Sequence, residues 1–432
     1  MLNFYQKALL LFFITFGINT MTYATDALPT REQVQDKYKW NLSDIYPTTN
    51  DWDKEYKSIE SHLPELAAHS GKITKNPNEL LSFVEQMSKL EARLTKLYIY
   101  AALAQDTELD NPLFQTNYDK VQKLSSKFSA AVSFYGPELL SLSKEKFNEF
   151  ISNPILKPYK FKLEFLYRMK EHTLSTEVEN VLAQYSVVRS IPNDVYSILN
   201  DAELPFGKVK FEGKEVQVSH GRYRAALYNL DRNYRKDVYK ETYIPYNMLK
   251  GTMAALYNGR LNTRITDARI RKYDNPIQAA LYPNNIPENV YYNLIETVNK
   301  NIKTLHRWAD IKKKYLKLDE LHPYDTYVTL FPSVQKSYTY DEAMELMKKA
   351  LAPLGDDYIK QMIHGFESRW IDVYETKNKR SGAYSNSSGS GPHPFILLNW
   401  NNTLDDVFTL AHELGHNMHS FYTEKSQPYH LC

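Results

Sequence analysis

The sequence predicts a mainly α-helical protein with more than one lobe, on three observations. Apolar residues recur at steps of three and four over long stretches, as on one face of an amphipathic helix. Glycine accounts for only 14 of 432 residues, and neither GxGxxG nor GxxxxGK[ST] occurs, which argues against a phosphate-binding α/β sheet. At roughly 150 residues per domain, the length indicates two or three lobes.

The first 24 residues predict a signal peptide. Lys7 precedes an apolar run from Ala8 to Ile18, and Thr22-Tyr23-Ala24 has the small-x-Ala pattern of a cleavage site. The run is far shorter than the ~20 residues that span a bilayer; an ordinary buried helix is the alternative. We therefore expect an exported protein, periplasmic or secreted, with no membrane attachment after cleavage. The single cysteine, Cys432, permits no disulfide within the chain.

Three segments carry clear helix signals. Apolar residues recur at helical spacing over residues 77–105, and again every four residues from Val290 to Ile302, after Pro287. Thr339 and Glu342 form a capping-box pattern, in which each side chain satisfies a free backbone donor of the other residue. We expect that third helix to end before Pro353.

Extended structure is sparse in this pattern. Residues 208–218 alternate around Glu212-Gly213-Lys214, which predicts a small hairpin. The change from helices to this hairpin suggests a domain boundary, with an N-terminal helical domain over residues 25–205 and a second domain over residues 206–432. The loop over residues 380–394 is rich in Ser, Gly and Pro and precedes the apolar run from Phe395 to Leu398. It is either a flexible linker or a mobile loop that leads a strand into a cleft.

The charge balance argues against a nucleic-acid-binding protein. Lys and Arg number 53 and Asp and Glu number 51, for a formal net charge of +2. A phosphate-neutralising surface needs a larger basic excess. We interpret the basic clusters at residues 312–314 and 377–380 as solvated faces.

The motif His412-Glu413-Leu414-Gly415-His416 carries the chemistry. Residues four apart on a helix lie on one face, so both imidazoles can reach one zinc ion. The segment is preceded by capping residue types at positions 401–403, which favours a helix. Glu413 lies one step round the helix and can act as a general base on a water that zinc acidifies. The alternative is a surface helix with two incidental histidines.

The sequence resembles oligoendopeptidase F, in the thimet-oligopeptidase clan of zinc metallopeptidases. The resemblance covers roughly residues 31–429. It rests on several stretches in the same order: Lys39 to Tyr46, Ala268 to Tyr273, Asn284 to Tyr291, Asp319 to Asp325, Ser381 to Tyr384, Pro394 to Asn399 and His412 to Ser420.

This resemblance implies two helical lobes that flank a deep channel, with a small β-sheet beside the zinc helix. It implies a metalloendopeptidase that binds one Zn²⁺ per chain and cleaves short unstructured peptides internally. His412 and His416 would be metal ligands and Glu413 the catalytic base. An extended substrate would pair its backbone in the region that contains Gly382, Tyr384, Phe395, Leu397 and Asn399.

One expected feature is missing from the sequence. A catalytic zinc needs three protein ligands, and in the family the third is a Glu on a later helix. Here the only later Glu is Glu424, which follows His416 by two helical turns and is badly placed to turn back. His419 is the other candidate for the third ligand, although a supporting or packing role fits this residue better. We therefore expect a family member truncated at its C-terminus, with weak zinc binding and little activity. The alternative is a vestigial, non-catalytic peptide-binding protein. A solute-binding protein is disfavoured, because no alternating βαβ pattern appears.

Overall fold

The computed structural model describes residues 27–331 and 336–431. The predicted signal peptide lies outside these residues. In the described part the chain is mainly helical, as predicted. Its α-helices, in order, are α1 Thr49–Ala67, α2 Pro77–Thr107, α3 Pro112–Ala131, α4 Tyr135–Leu140, α5 Lys144–Ile151, α6 Lys160–Arg168, α7 Thr176–Ile198, α8 His220–Ala226, α9 Arg232–Met248, α10 Lys250–Ile270, α11 Pro276–Leu281, α12 Glu288–Tyr315, α13 Tyr340–Ala350, α14 Asp356–Glu367 and α15 Leu404–Ser426.

The predicted helix boundaries follow local capping chemistry. The Asn76 side chain accepts hydrogen bonds from the first backbone amides of α2, and Pro77 occupies the first turn. The capping box of Thr339 and Glu342 is present at the start of α13. None of the helices in the described part of the chain is long and apolar enough to cross a membrane.

The described residues also form two small sheets. The predicted hairpin is confirmed as β1 Lys208–Phe211 and β2 Lys214–Gln217, which pair antiparallel. A second sheet contains β3 Ile371–Tyr374, β4 Tyr384–Asn386 and β5 Phe395–Trp400, in the order β3-β5-β4. Strand β3 runs parallel to β5, and β4 runs antiparallel to it.

Strand β5 lies between the two largest cores of the protein. Phe395 and Leu397 pack into a core built mainly from α1, α2 and the helices that follow them. Ile396 and Leu398 point the other way, into a core formed with α13, α14 and α15. Successive side chains of a strand face opposite sides, so one short strand joins both cores. This explains why the run is apolar at nearly every position.

A buried charge cluster holds β3 against β5. The Lys379 ammonium lies 2.7 Å from the Asp372 carboxylate, and Arg31 approaches the same carboxylate at 2.8 Å. Lys379 also donates to the carbonyl oxygens of Tyr374 at 2.7 Å and Leu398 at 2.6 Å. The register between the strands shifts at this point, so the ammonium supplies donors where the strand ladder is irregular.

One expectation about charged segments needs correction, and one alternative for a polar segment is removed. The basic clusters were expected on solvated faces, but Lys379 and Lys312 are both buried. Lys312 reaches inward to donate to the Thr326 carbonyl. Of the two alternatives for the loop over residues 380–394, the flexible linker is excluded, because the segment contains β4 and two buried side chains, Ser388 and His393. Its polar composition reflects hydrogen bonding within the fold.

Candidate active site

The HExxH motif lies in the middle of the long helix α15. Thr403 caps this helix: its hydroxyl accepts from the Asp406 amide, and the Asp406 carboxylate accepts from the Thr403 amide. The strand β5 ends three residues before this cap. The inward face of α15, which includes Leu410, Leu414 and Met418, packs into the second core. The start, depth and rotation of the helix are therefore all determined by neighbouring structure.

His412 and His416 lie side by side on the exposed face of α15. Their Nε2 atoms are 3.1 Å apart. Two nitrogen ligands at ~2.0–2.1 Å from one tetrahedral zinc ion would lie roughly 3.3 Å apart. The pair therefore fits two positions of a single zinc site.

Glu413 occupies a different environment from the two histidines. Its side chain is largely buried at the edge of the same helix. A carboxylate beside the histidines, rather than on their face, suits a proton carrier better than a metal ligand.

A third metal ligand is not found among residues 27–331 and 336–431. No group of three or more His, Cys, Asp or Glu side chains there is placed to hold a metal ion. Glu424 accepts a hydrogen bond from the Ser387 hydroxyl instead. His430 is also engaged elsewhere, because its ring stacks on Tyr159 at 4.3 Å and its Nε2 contacts the Pro158 carbonyl oxygen at 2.9 Å.

The residues expected to bind substrate separate into two groups. Phe395 and Leu397 are core residues on β5, and both edges of β5 are occupied by neighbouring strands. This corrects the expected substrate contact at these two positions: neither their side chains nor their backbone is open to a peptide. Tyr384, by contrast, lies on β4, whose outer edge is the edge of the sheet.

Gly382 and Asn399 position the segment that leads into β4. The Asn399 amide donates to the carbonyl oxygens of Arg380 at 2.9 Å and Gly382 at 2.8 Å. Gly382 has φ +83°, a left-handed conformation that favours glycine. Both residues therefore have a structural role in turning the chain into β4.

An interaction that the sequence did not reveal fixes β4 to the N-terminal helices. Asp106, near the end of α2, accepts hydrogen bonds from Arg380 Nε and from the Tyr384 hydroxyl, both at 2.5 Å. Burial raises the pKa of Asp106 against the opposing effect of Arg380. Burial and the neighbouring Asp106 carboxylate raise the pKa of Tyr384 well above its usual value. Tyr384 is therefore a neutral donor that anchors the strand.

Comparison with known proteins supports a relationship over most of the chain. Two family models match: Peptidase family M3 over residues 225–431 and Oligopeptidase F over residues 138–206. Oligopeptidase PepF of Bacillus subtilis is 38% identical over 404 residues, which are 93% of this chain and 60% of the relative. An oligoendopeptidase F homolog of Lactococcus lactis is 35% identical over 402 residues, which are 92% of this chain and 67% of the relative.

The fold is also similar to solved structures. The crystal structure of oligoendopeptidase-F from Enterococcus faecium superposes with a TM-score of 0.63 at 29% identity, covering 73% of this chain and 60% of that one. The chain thus spans 60% of the length of the Bacillus relative and a similar share of this structure.

Proposed function

Because this chain belongs to peptidase family M3, in its oligoendopeptidase F branch, we propose that it is a zinc-dependent metalloendopeptidase acting on internal bonds of short, unstructured peptides. The observation that carries the proposal is the 3.1 Å separation of His412 Nε2 and His416 Nε2 on an exposed helix face. These two imidazoles would hold zinc. A third protein ligand would come from outside the described residues.

When bound, zinc would supply a Lewis acid that acidifies water and polarises a peptide carbonyl. Glu413 would take the proton from the attacking water and pass it to the nitrogen of the leaving amine. The outer edge of β4 would hold the peptide backbone by strand addition. Asp106 and Tyr384 would keep that edge in place.

Metal binding tests the ligand assignment. We expect His412→Ala and His416→Ala each to remove the zinc bound by the chain, measured by equilibrium dialysis and metal analysis. The affinity of the unaltered chain for zinc should already be weak, since the site has two imidazoles but no carboxylate as a third ligand. Glu413→Gln should bind zinc as the unaltered chain does. Zinc retained by His412→Ala or His416→Ala would overturn the assignment, and loss of zinc in His419→Ala would contradict a third ligand from outside the described residues.

Turnover tests the assignment of the base. The 432-residue chain alone should cleave an internally quenched peptide slowly or not at all. The chain joined to the part of the Bacillus subtilis relative beyond the matched segment should cleave the peptide in a zinc-dependent reaction. Glu413→Gln in the joined protein should abolish cleavage and keep the zinc. Full activity in that variant would contradict the mechanism.

We also propose export to the periplasm or the medium, supported by the Lys7, Ala8–Ile18 and Ala24 pattern. N-terminal sequencing of the protein from its native cells tests this. A mature protein that begins at Met1 would contradict it.

A further inference from the structure

A cavity of about 460 Å³ lies next to the second half of α15. One wall is formed by Ser385 and Asn386 of β4, and another by His419 and Glu424 of α15. The N-terminal helices contribute a third wall, which includes Lys162. The volume falls within the ~300–1,000 Å³ range of small-ligand sites.

The cavity continues the line of the two motif histidines. Positions 412, 416, 419 and 423 follow one another at steps of four, three and four, so they share a helix face. A second cavity of about 230 Å³ lies at the other end, between Ala383 and Thr409. Strand β4 and its approach therefore run alongside α15, with His412 and His416 between the two cavities. A peptide paired with β4 would extend into both.

The larger cavity contains a carboxylate without a cationic partner. Glu424 accepts a hydrogen bond from Ser387, and no Lys, Arg or His among the described residues forms an ion pair with it. Lys162 is already paired with Glu91 at 3.2 Å. Burial raises the pKa of Glu424, as expected for a carboxylate whose charge is incompletely compensated.

We propose that this cavity is a subsite for a cationic group of the peptide, an ammonium or guanidinium, recognised by Glu424. The inference rests on the proposed peptide cleft and adds a preference to it. The cation has two chemical sources: a Lys or Arg side chain, and the free amino terminus of a short peptide. A charge-assisted hydrogen bond in a partly buried site would give the preference its strength.

Measurements of peptide binding test the cationic subsite separately from catalysis. Fluorescence anisotropy can follow labelled octapeptides binding to the metal-free chain carrying Glu413→Gln. One peptide series places Lys at successive positions, a second replaces Lys with norleucine, and both are made with free and acetylated amino termini. We expect one Lys position, or the free amino terminus, to bind about tenfold more tightly than its neutral counterpart.

The variants identify the residue. Glu424→Gln should abolish the preference and leave the affinity for the neutral peptide unchanged, since the amide keeps the size and can still accept from Ser387. Lys162→Met should strengthen the preference for cationic peptides, because the Glu91 carboxylate in the same cavity loses its cationic partner. Glu367→Gln, an exposed carboxylate on α14, is the matched control and should have no effect.

The outcomes separate the two proposals. Equal affinity for cationic and neutral peptides, or an unchanged preference in Glu424→Gln, would overturn the subsite and leave the peptide cleft intact. No binding of any peptide would overturn the cleft and the subsite together. Zinc retention measured in parallel would still report on the metal site.

Discussion

Replacing Lys379 with Met should destabilise the sheet that supports the candidate active site. The Lys379 side chain has no exposed surface, and its ammonium contacts Asp372 and the carbonyl oxygens of Tyr374 and Leu398. Burial alone would raise the pKa of Asp372, but Lys379 and Arg31 together hold it below its usual value. Met has a similar length, so the substitution removes the charge and its hydrogen bonds with little change in volume.

The expected loss of stability in Lys379→Met follows from the contacts that remain around Asp372. Asp372 would keep one cationic partner, Arg31, at 2.8 Å, while the two strand carbonyls would lose a buried donor. Breaking a buried ion pair by removing one partner typically costs about 3–5 kcal/mol. For a chain of this size, we expect the midpoint of thermal unfolding to fall by roughly 3–6 °C.

Thermal unfolding followed by circular dichroism and tryptophan fluorescence measures this effect. Lys377→Met is the matched control, because Lys377 is exposed two residues away, and it should unfold like the unaltered chain. The double variant Asp372→Leu/Lys379→Met should be more stable than the sum of the single changes predicts, since the charges are then removed together. A Lys379→Met midpoint within about 1 °C of the unaltered chain, or strict additivity, would refute the reasoning.

Two further changes test the helix and the core. Gly415→Ala should raise the free energy of unfolding by roughly 0.5–1 kcal/mol in chemical denaturation, because an added Cβ meets nothing within 4 Å; a loss of stability would contradict this reasoning. Burial lowers the pKa of His393, so as pH falls through about 6.5 the unfolded chain takes up the proton first and stability is lost. His393→Phe should therefore lose less stability than the unaltered chain when the unfolding midpoint is compared at pH 8 and pH 5, and an equal loss would contradict this account.

Local signals were sufficient for the helices that the sequence predicted. The capping box at Thr339 and the prolines at positions 77 and 287 act within one turn, so the sequence contains both partners of each interaction. The predicted helix over residues 77–105 is observed as Pro77–Thr107. The signal for the hairpin was equally local, because it lies in the two-residue turn, where Glu212 and Gly213 both adopt positive φ.

The small sheet beside the site was harder to predict. Strands Ile371–Tyr374 and Tyr384–Asn386 have four and three residues, too few for a periodic signal to stand out. Their stability comes from pairing with β5 and from the buried Lys379 cluster. A lysine in a basic run resembles a solvated residue until its partner is known, and Asp372 becomes that partner only when β3 and β5 pair.

The two parts of the candidate site also differ in whether they depend on local or on long-range contacts. His412 and His416 are one helical turn apart, so their convergence follows from helix geometry and could be read from the sequence. Tyr384 and Asp106 are 278 positions apart, and no local pattern indicates that they meet. The proposed metal-binding half of the site is thus encoded within five residues, whereas the proposed peptide-binding half depends on the docking of β4 against α2. Substitutions in the motif should therefore alter zinc binding with little effect on folding, while substitutions at Asp106 should alter peptide binding through the position of the strand.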